Sequence, residues 1–297
     1  MVELLVVIGI VMILSGLLLP VFQSARLSAL QTQGVANMRS LAVATLLYSG
    51  DHEDVAPVVY AALDDLSPAV SHFIAVPPRW EQGQDEAYYS QVASSWPNSV
   101  GSYGSTAALL KSPVSRAWRP VKGNYALAAA GHRHAEVNPA FNGLLNSWPL
   151  ASASSPSQLP LLTQVNGSVN IVGYARSNPR LFCLTPGPCL FVPESVDCSP
   201  TKPGTMSSLI PQVEASQWVH RQGQIVAFSD TSVKWRPMRS PPNAPSDVRT
   251  SFWSRFSEDG MSQTEWRESK GCHPVLFRPS FDFVDFADSY ESPPLYF

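Results

Sequence analysis

Met1-Val2-Glu3-Leu4-Leu5-Val6-Val7-Ile8-Gly9-Ile10-Val11-Met12-Ile13-Leu14-Ser15-Gly16-Leu17-Leu18-Leu19-Pro20-Val21-Phe22 is the stretch on which the fold turns. From Leu4 to Phe22 no side chain carries a charge. Wound as a helix at about 1.5 Å per residue, this run nearly crosses a hydrocarbon core about 30 Å thick. Glu3 stands at its head, where an ionised carboxylate is costly unless it is paired or rests among headgroups. Either way the segment reads as a membrane anchor, and only pairing asks for a partner. Arg26, the nearest basic residue, lies after the run. Taken alone, that would hold the C-terminal side in the cytoplasm, and a basic leader ahead of Met1 would reverse it.

The helical period continues past the apolar run. Leu27, Leu30, Gly34, Met38, Leu41, Thr45 and Tyr48 step by three or four, and Val35, Ala42 and Leu46 widen the stripe. Arg26, Gln31, Gln33, Asn37 and Arg39 occupy much of the remaining surface. The pattern predicts one helix over 3–49, roughly 70 Å long. Its first half belongs in an apolar medium and its second half under a globular head, with Gly50 as the C-terminal cap.

Composition narrows the function classes. Of 297 residues only 14% are charged, against about 25% in ordinary globular domains. The 27 prolines are nearly twice the usual share of about 5%. A net charge of −3 and the absence of a basic run give no sign of nucleic-acid binding. The four cysteines, Cys183, Cys189, Cys198 and Cys272, all follow the anchor. An even count in an exported chain suggests two disulfides, with three pairings open. Thr185-Pro186-Gly187-Pro188 is a turn that would bring Cys183 to Cys189, leaving Cys198 for Cys272. Zinc is the weaker alternative, because no Cys-x-x-Cys occurs.

Beyond Pro57 turn signals crowd the chain, with short strands predicted at 55–60, 123–128, 159–165, 169–174 and 190–192 and helical turns at 85–93 and 107–111. The clearest pattern is Val219-His220-Arg221-Gln222-Gly223-Gln224-Ile225-Val226-Ala227-Phe228-Ser229-Asp230-Thr231-Ser232-Val233-Lys234-Trp235, a hairpin of strands 225–228 and 233–235. After Pro241-Pro242-Asn243-Ala244-Pro245 the chain is rich in aromatics, from Phe252 and Trp253 to Tyr296 and Phe297. Such density predicts an extension packed back on the head; an exposed patch for a glycan or protein is the alternative. The expected organisation is 1–50 helix, 51–240 head and 241–297 extension.

Glu3-Leu4-Leu5-Val6-Val7-Ile8-Gly9-Ile10 followed by Leu17-Leu18-Leu19-Pro20 resembles the N-terminal segment of type IV pilins and type II secretion pseudopilins. In that family a prepilin peptidase removes a short basic leader and methylates the new amino terminus. A glutamate then neutralises the terminal amine of a neighbouring subunit in the filament core. The resemblance makes Glu3 that glutamate, Leu4 and Leu5 part of the assembly helix, and Pro20 the helix-kinking proline. The chain begins two residues inside the expected mature start, so a leader upstream of Met1 is expected. Asn37-Met38-Arg39-Ser40-Leu41, Tyr48, Asp51, Asp54 and Pro57 resemble a pilin-like group with a His-x9-Asp-Gly motif, whose counterparts here are His220 and Asp230. Leu159-Pro160-Leu161-Leu162 fits the strand that precedes that motif. Thr231 replaces its Gly, so the turn must avoid or strain a positive φ.

The resemblance implies an α+β, pilin-like fold: a long N-terminal helix on an antiparallel sheet head with loop-rich insertions. It implies a structural, non-enzymatic subunit of a type IV pilus or type II secretion pseudopilus-like filament. Partners would be copies of itself or other pilin-like subunits, the inner-membrane assembly machinery and the peptidase. The location implied is the inner membrane, single-pass, with the head on the periplasmic or extracellular side. A membrane-anchored binding module that never polymerises is the alternative. No cofactor is expected, although some major pseudopilins hold calcium near the head's C-terminal loops, where Asp282, Asp285 and Asp288 lie here. His132, His134, His220, Asp230 and His273 are the other metal candidates, read mainly as locally hydrogen-bonded histidines. Gly-x-Ser-x-Gly, His-Glu-x-x-His and His-paired cysteine motifs are all missing, which argues against an enzyme.

Overall fold

The structure is a computed structural model. It describes residues 2–62, 70–71, 73–80, 84–104, 107–115, 117–118, 134–183, 189–193, 198–199, 202–211, 216–241, 244–268, 271–283 and 290–291. One α-helix spans Val2–Asp51, 50 residues, about 75 Å at 1.5 Å per residue. It contacts antiparallel sheets through its second half only. Gly34, Met38, Leu41, Ala42, Ala44, Thr45 and Ser49 are buried, a stripe at helical spacing close to the predicted one. From Val2 to Ala29 every residue but the half-buried Gly9 is exposed.

The helix ends differently from the expectation. Gly50 stays helical, and the left-handed residues that close the end are Glu53 and Asp54, at φ 55° and 59°. The Asp54 amide donates to the Ser49 carbonyl at 2.9 Å, the long bond of a Schellman-type stop. Around it His52 Nδ1 meets the Tyr48 carbonyl at 2.7 Å, and the Tyr103 hydroxyl donates to Asp51 at 3.0 Å.

The central sheet has four antiparallel strands in the order Val233–Pro237, Gly223–Phe228, Pro160–Gln164, Pro139–Phe141. Ile225 faces Trp235 across one pair, and Val226 faces Thr163 across the next. The long helix lies against the first three of these strands. A second sheet orders Ile74–Ala75, Tyr174–Ala175, Gly167–Ile171 and Ala117–Trp118, the last pairing parallel. A ribbon of Trp253–Phe256 with Ser262–Glu265 follows the central hairpin in sequence. The short helix Glu86–Ser94 starts at Asp85, whose carboxylate accepts from the Tyr88 amide at 2.7 Å.

Several predicted strands take other forms. Residues 55–60 form no strand, only isolated bridges from Val55 to Pro149 and from Val58 to Ser95. The Val59 amide is taken by the Asn146 side chain at 2.6 Å and the Ala56 amide by the Trp148 carbonyl. The run 169–174 is broken by Gly173, at φ 88°, into two strands. Residues 190–192 have one strand-like bond, from the Val192 amide to the Gly204 carbonyl, and no strand. The run 123–128 lies outside the described residues, as do Thr185-Pro186-Gly187-Pro188 and Phe286, Tyr296 and Phe297 of the aromatic tail.

One core joins the helix, the central sheet and the C-terminal region. Met38, Leu41, Phe141, Leu162, Ile225 and Phe228 share it with Phe252, Trp253, Leu276, Phe277 and Phe283. The Phe252 and Phe277 rings lie 4.6 Å apart. Cys183 is bonded to Cys189 and Cys198 to Cys272. The second bond ties the late ribbon region to a loop 74 residues earlier. Two disulfides fit a head on the extracytoplasmic side.

Candidate functional site: the long helix and its hairpin seat

The N-terminal half of the helix is long and apolar enough to cross a membrane, and no described residue of the head covers it. Glu3 is exposed near its start, beside Leu4 and Leu5 at 66% and 69% exposure. Pro20 sits inside the helix. Its ring nitrogen has no proton, so the Gly16 carbonyl loses its helical donor there. Further along, Ser28, Thr32, Ser40 and Thr45 return their hydroxyls to carbonyls one turn back. That satisfies these side chains within the helix.

The second half is seated on the central hairpin at Gly34. A Cβ added there would lie 2.9 Å from Ile225 Cδ1, 3.0 Å from His220 Nε2 and 3.2 Å from Gln164 Nε2. A glycine here lets helix and sheet approach closely, and any larger residue must displace these side-chain ends. His220 is 4% exposed. Its amide donates to the Gly223 carbonyl at 2.9 Å, and its carbonyl accepts from the Trp235 indole at 3.0 Å. Burial pushes the imidazole down to about 4, so it sits neutral against the helix. Next to it Arg221 turns the chain at φ 55°, and its guanidinium reaches Ser28 of the helix at 3.4 Å.

Asp230 occupies the other end of the same strand. It is exposed, its carboxylate accepts from the Ser232 amide at 2.9 Å, and its own amide donates to the Pro156 carbonyl at 3.2 Å. Thr231 takes φ 67°, so the turn strains a β-branched residue rather than avoiding the left-handed region. The Thr231 amide donates to Phe228 and the Phe228 amide to Ser232. At about 3.4 Å per residue the intervening strand keeps His220 and Asp230 roughly 20 Å apart. The two residues do not converge on one proton, metal or substrate. One helps seat the helix and the other closes a turn.

The remaining candidates are dispersed. His273 is fully buried, with Nδ1 2.9 Å from the Ser207 hydroxyl and its ring 4.8 Å from Phe191. Burial, with Arg278 second, pushes it down to about 4. The His134 ring meets Trp80 at 4.6 Å. His132, Asp285 and Asp288 lie outside the described residues, so the aspartate trio is represented by Asp282 alone. Among the described residues no three His, Cys, Asp or Glu side chains gather as a metal site. Sequence reasoning placed Gly34 on the buried stripe without seeing it as the point of closest approach. Its one signal was a glycine amid larger residues on that face.

No protein-family model, no curated protein and no solved structure matches this chain.

Proposed function

We propose that the chain is a non-enzymatic, pilin-like structural subunit that assembles through its N-terminal helix, with its head on the extracytoplasmic side of the inner membrane. The observation that carries this reading is the division of the helix. Its first half is uncovered apolar surface with one carboxylate at the start, while its second half is sunk into the head. Lipid satisfies the apolar face and its headgroups can solvate Glu3, whereas within a filament core a neighbouring subunit's amine would pair with that carboxylate. The family resemblance supplies that partner: another copy or another pilin-like subunit, delivered after prepilin-peptidase processing.

Glu3→Ala and Glu3→Leu test the idea in the native host. Membrane insertion should survive both, since each lowers the cost of burying the helix, while incorporation into cross-linkable filaments drops severely. Normal incorporation of either variant sinks the assembly role of Glu3. Intact mass and N-terminal sequencing of the protein from native membranes is the companion measurement. A methylated residue ahead of Met1 supports prepilin processing, and an unprocessed Met1 makes a plain anchored module the better account.

A further inference from the structure

The head carries a groove of about 630 Å³, within the roughly 300–1,000 Å³ of small-ligand sites. It opens between the end of the central hairpin, at Gln222 and Arg239, and the late ribbon, at Arg255, Phe256 and Gln263. One wall is the Trp218 indole, held in place by its neighbours. Its N–H donates to the Met238 carbonyl at 2.7 Å, and the ring lies against Gly260, where a Cβ would come within 2.5 Å of it.

The polar lining is free to bind. Among the described residues Arg239, Arg255, Gln222 and Gln263 make no side-chain hydrogen bond or ion pair. Other arginines of the head are committed: Arg79 to Glu86, Arg267 to Glu265 and Arg278 to Glu268. Glu258 is the one carboxylate among the described lining residues.

We propose that this groove binds an acidic polysaccharide, its uronate carboxylates on Arg239 and Arg255 and a pyranose face on Trp218. A planar guanidinium donates two parallel hydrogen bonds that match a carboxylate. The carbonyl and NH2 of each glutamine serve sugar hydroxyls as acceptor and donor. An indole face suits the C–H face of a sugar ring, which a simple inorganic anion lacks. A nucleic acid fits less well. Its backbone asks for a longer track of cations than two arginines in a chain of net charge −3, and Glu258 in the lining repels a densely charged strand. A polymer with one carboxylate per ring tolerates that neighbour.

The test is calorimetric titration of the full-length chain in detergent micelles with an oligogalacturonate, a maltooligosaccharide of equal length and an oligothymidylate. Saturable binding of the oligogalacturonate alone is expected. Arg239→Ala and Arg255→Ala should each weaken it by about tenfold or more, as for a lost charged hydrogen bond, and Glu258→Gln should tighten it. Circular dichroism checks that the variants keep the fold. The proposal is overturned if the oligogalacturonate does not bind or if folded arginine variants bind it unchanged. Equal binding of the neutral sugar or the oligothymidylate also overturns it. Because the micelle-bound subunit is tested alone, these outcomes do not depend on filament assembly.

Discussion

Nε2 of His220 is buried without a hydrogen-bond partner, and His273 is equally short of one at Nε2. Both imidazoles are therefore held down to about 4 from the ordinary 6.5, chiefly by burial. The unfolded chain takes up these protons first, so their contribution is intact above about pH 6.5 and drains away as the pH falls toward about 4. Each is worth on the order of 2–3 kcal/mol across that window. Denaturant midpoints should fall clearly between about pH 7 and pH 4.5, and His220→Gln should remove about half of the slope. A variant with the parent's slope would mean that His220 is not buried neutral. Thr231, at φ 67°, gives the second prediction at this scale. A left-handed non-glycine residue costs about 1–3 kcal/mol, and glycine's extra chain entropy returns about 0.5–1. Thr231→Gly should therefore stabilise the head by about 1 kcal/mol in equilibrium unfolding. Destabilisation would show that the threonine side chain holds the turn.

Among the elements, the helix–hairpin seam concentrates the consequences. Ile225, His220 and Gln164 close over Gly34 with no space for a large side chain. Gly34→Leu must push hairpin and helix apart and should cost about 1–3 kcal/mol, read as a lowered thermal midpoint. Gly34→Ala should cost far less. The atoms it meets are ends of flexible side chains, and alanine gains about 1 kcal/mol of helix propensity over glycine. Parent-like stability of the leucine variant would mean the seam is looser than these distances. The misread strand at 55–60 belongs to the same scale. A short run between turn signals predicted a strand, but the Asn146 side chain and the Trp148 carbonyl take up its Val59 and Ala56 amides.

For the whole molecule, chain connectivity sets what the covalent links contribute. Cys198–Cys272 spans 74 residues and Cys183–Cys189 spans six. In the chain-entropy account the longer closure removes about 4 kcal/mol of unfolded-state freedom and the shorter about 2. Replacing Cys198 and Cys272 by serine should therefore lower the unfolding midpoint more than replacing Cys183 and Cys189. The reverse order would sink the entropic argument. The longer bond also anchors a C-terminal region whose Phe252, Trp253 and Phe277 are core residues, so these three aromatics support the head rather than forming an exposed patch.

Much of this architecture was legible in one dimension, because some patterns need no distant partner. An uncharged run of membrane length, a stripe with helical period and two apolar strand runs joined by a short polar turn each carry their meaning within a few tens of residues. Leu4 to Phe22, Met38 to Thr45 and Gly223 to Trp235 all behave so. What needed the tertiary structure is whatever depends on contacts between segments far apart in the chain. Gly34 acquires its role only when His220 and Ile225 arrive from the other end of the molecule. His220 and Asp230, neighbours by motif, are parted by the strand between them. The groove exists only because Trp218, Arg239 and Arg255 are folded onto one surface. The sequence by itself determined the membrane-length apolar run, the long helix and the hairpin, since local composition and periodicity encode them. The tertiary structure alone decided the seat at Gly34, the neutral histidines and the unpaired arginines, since burial and pairing are properties of what packs around a residue.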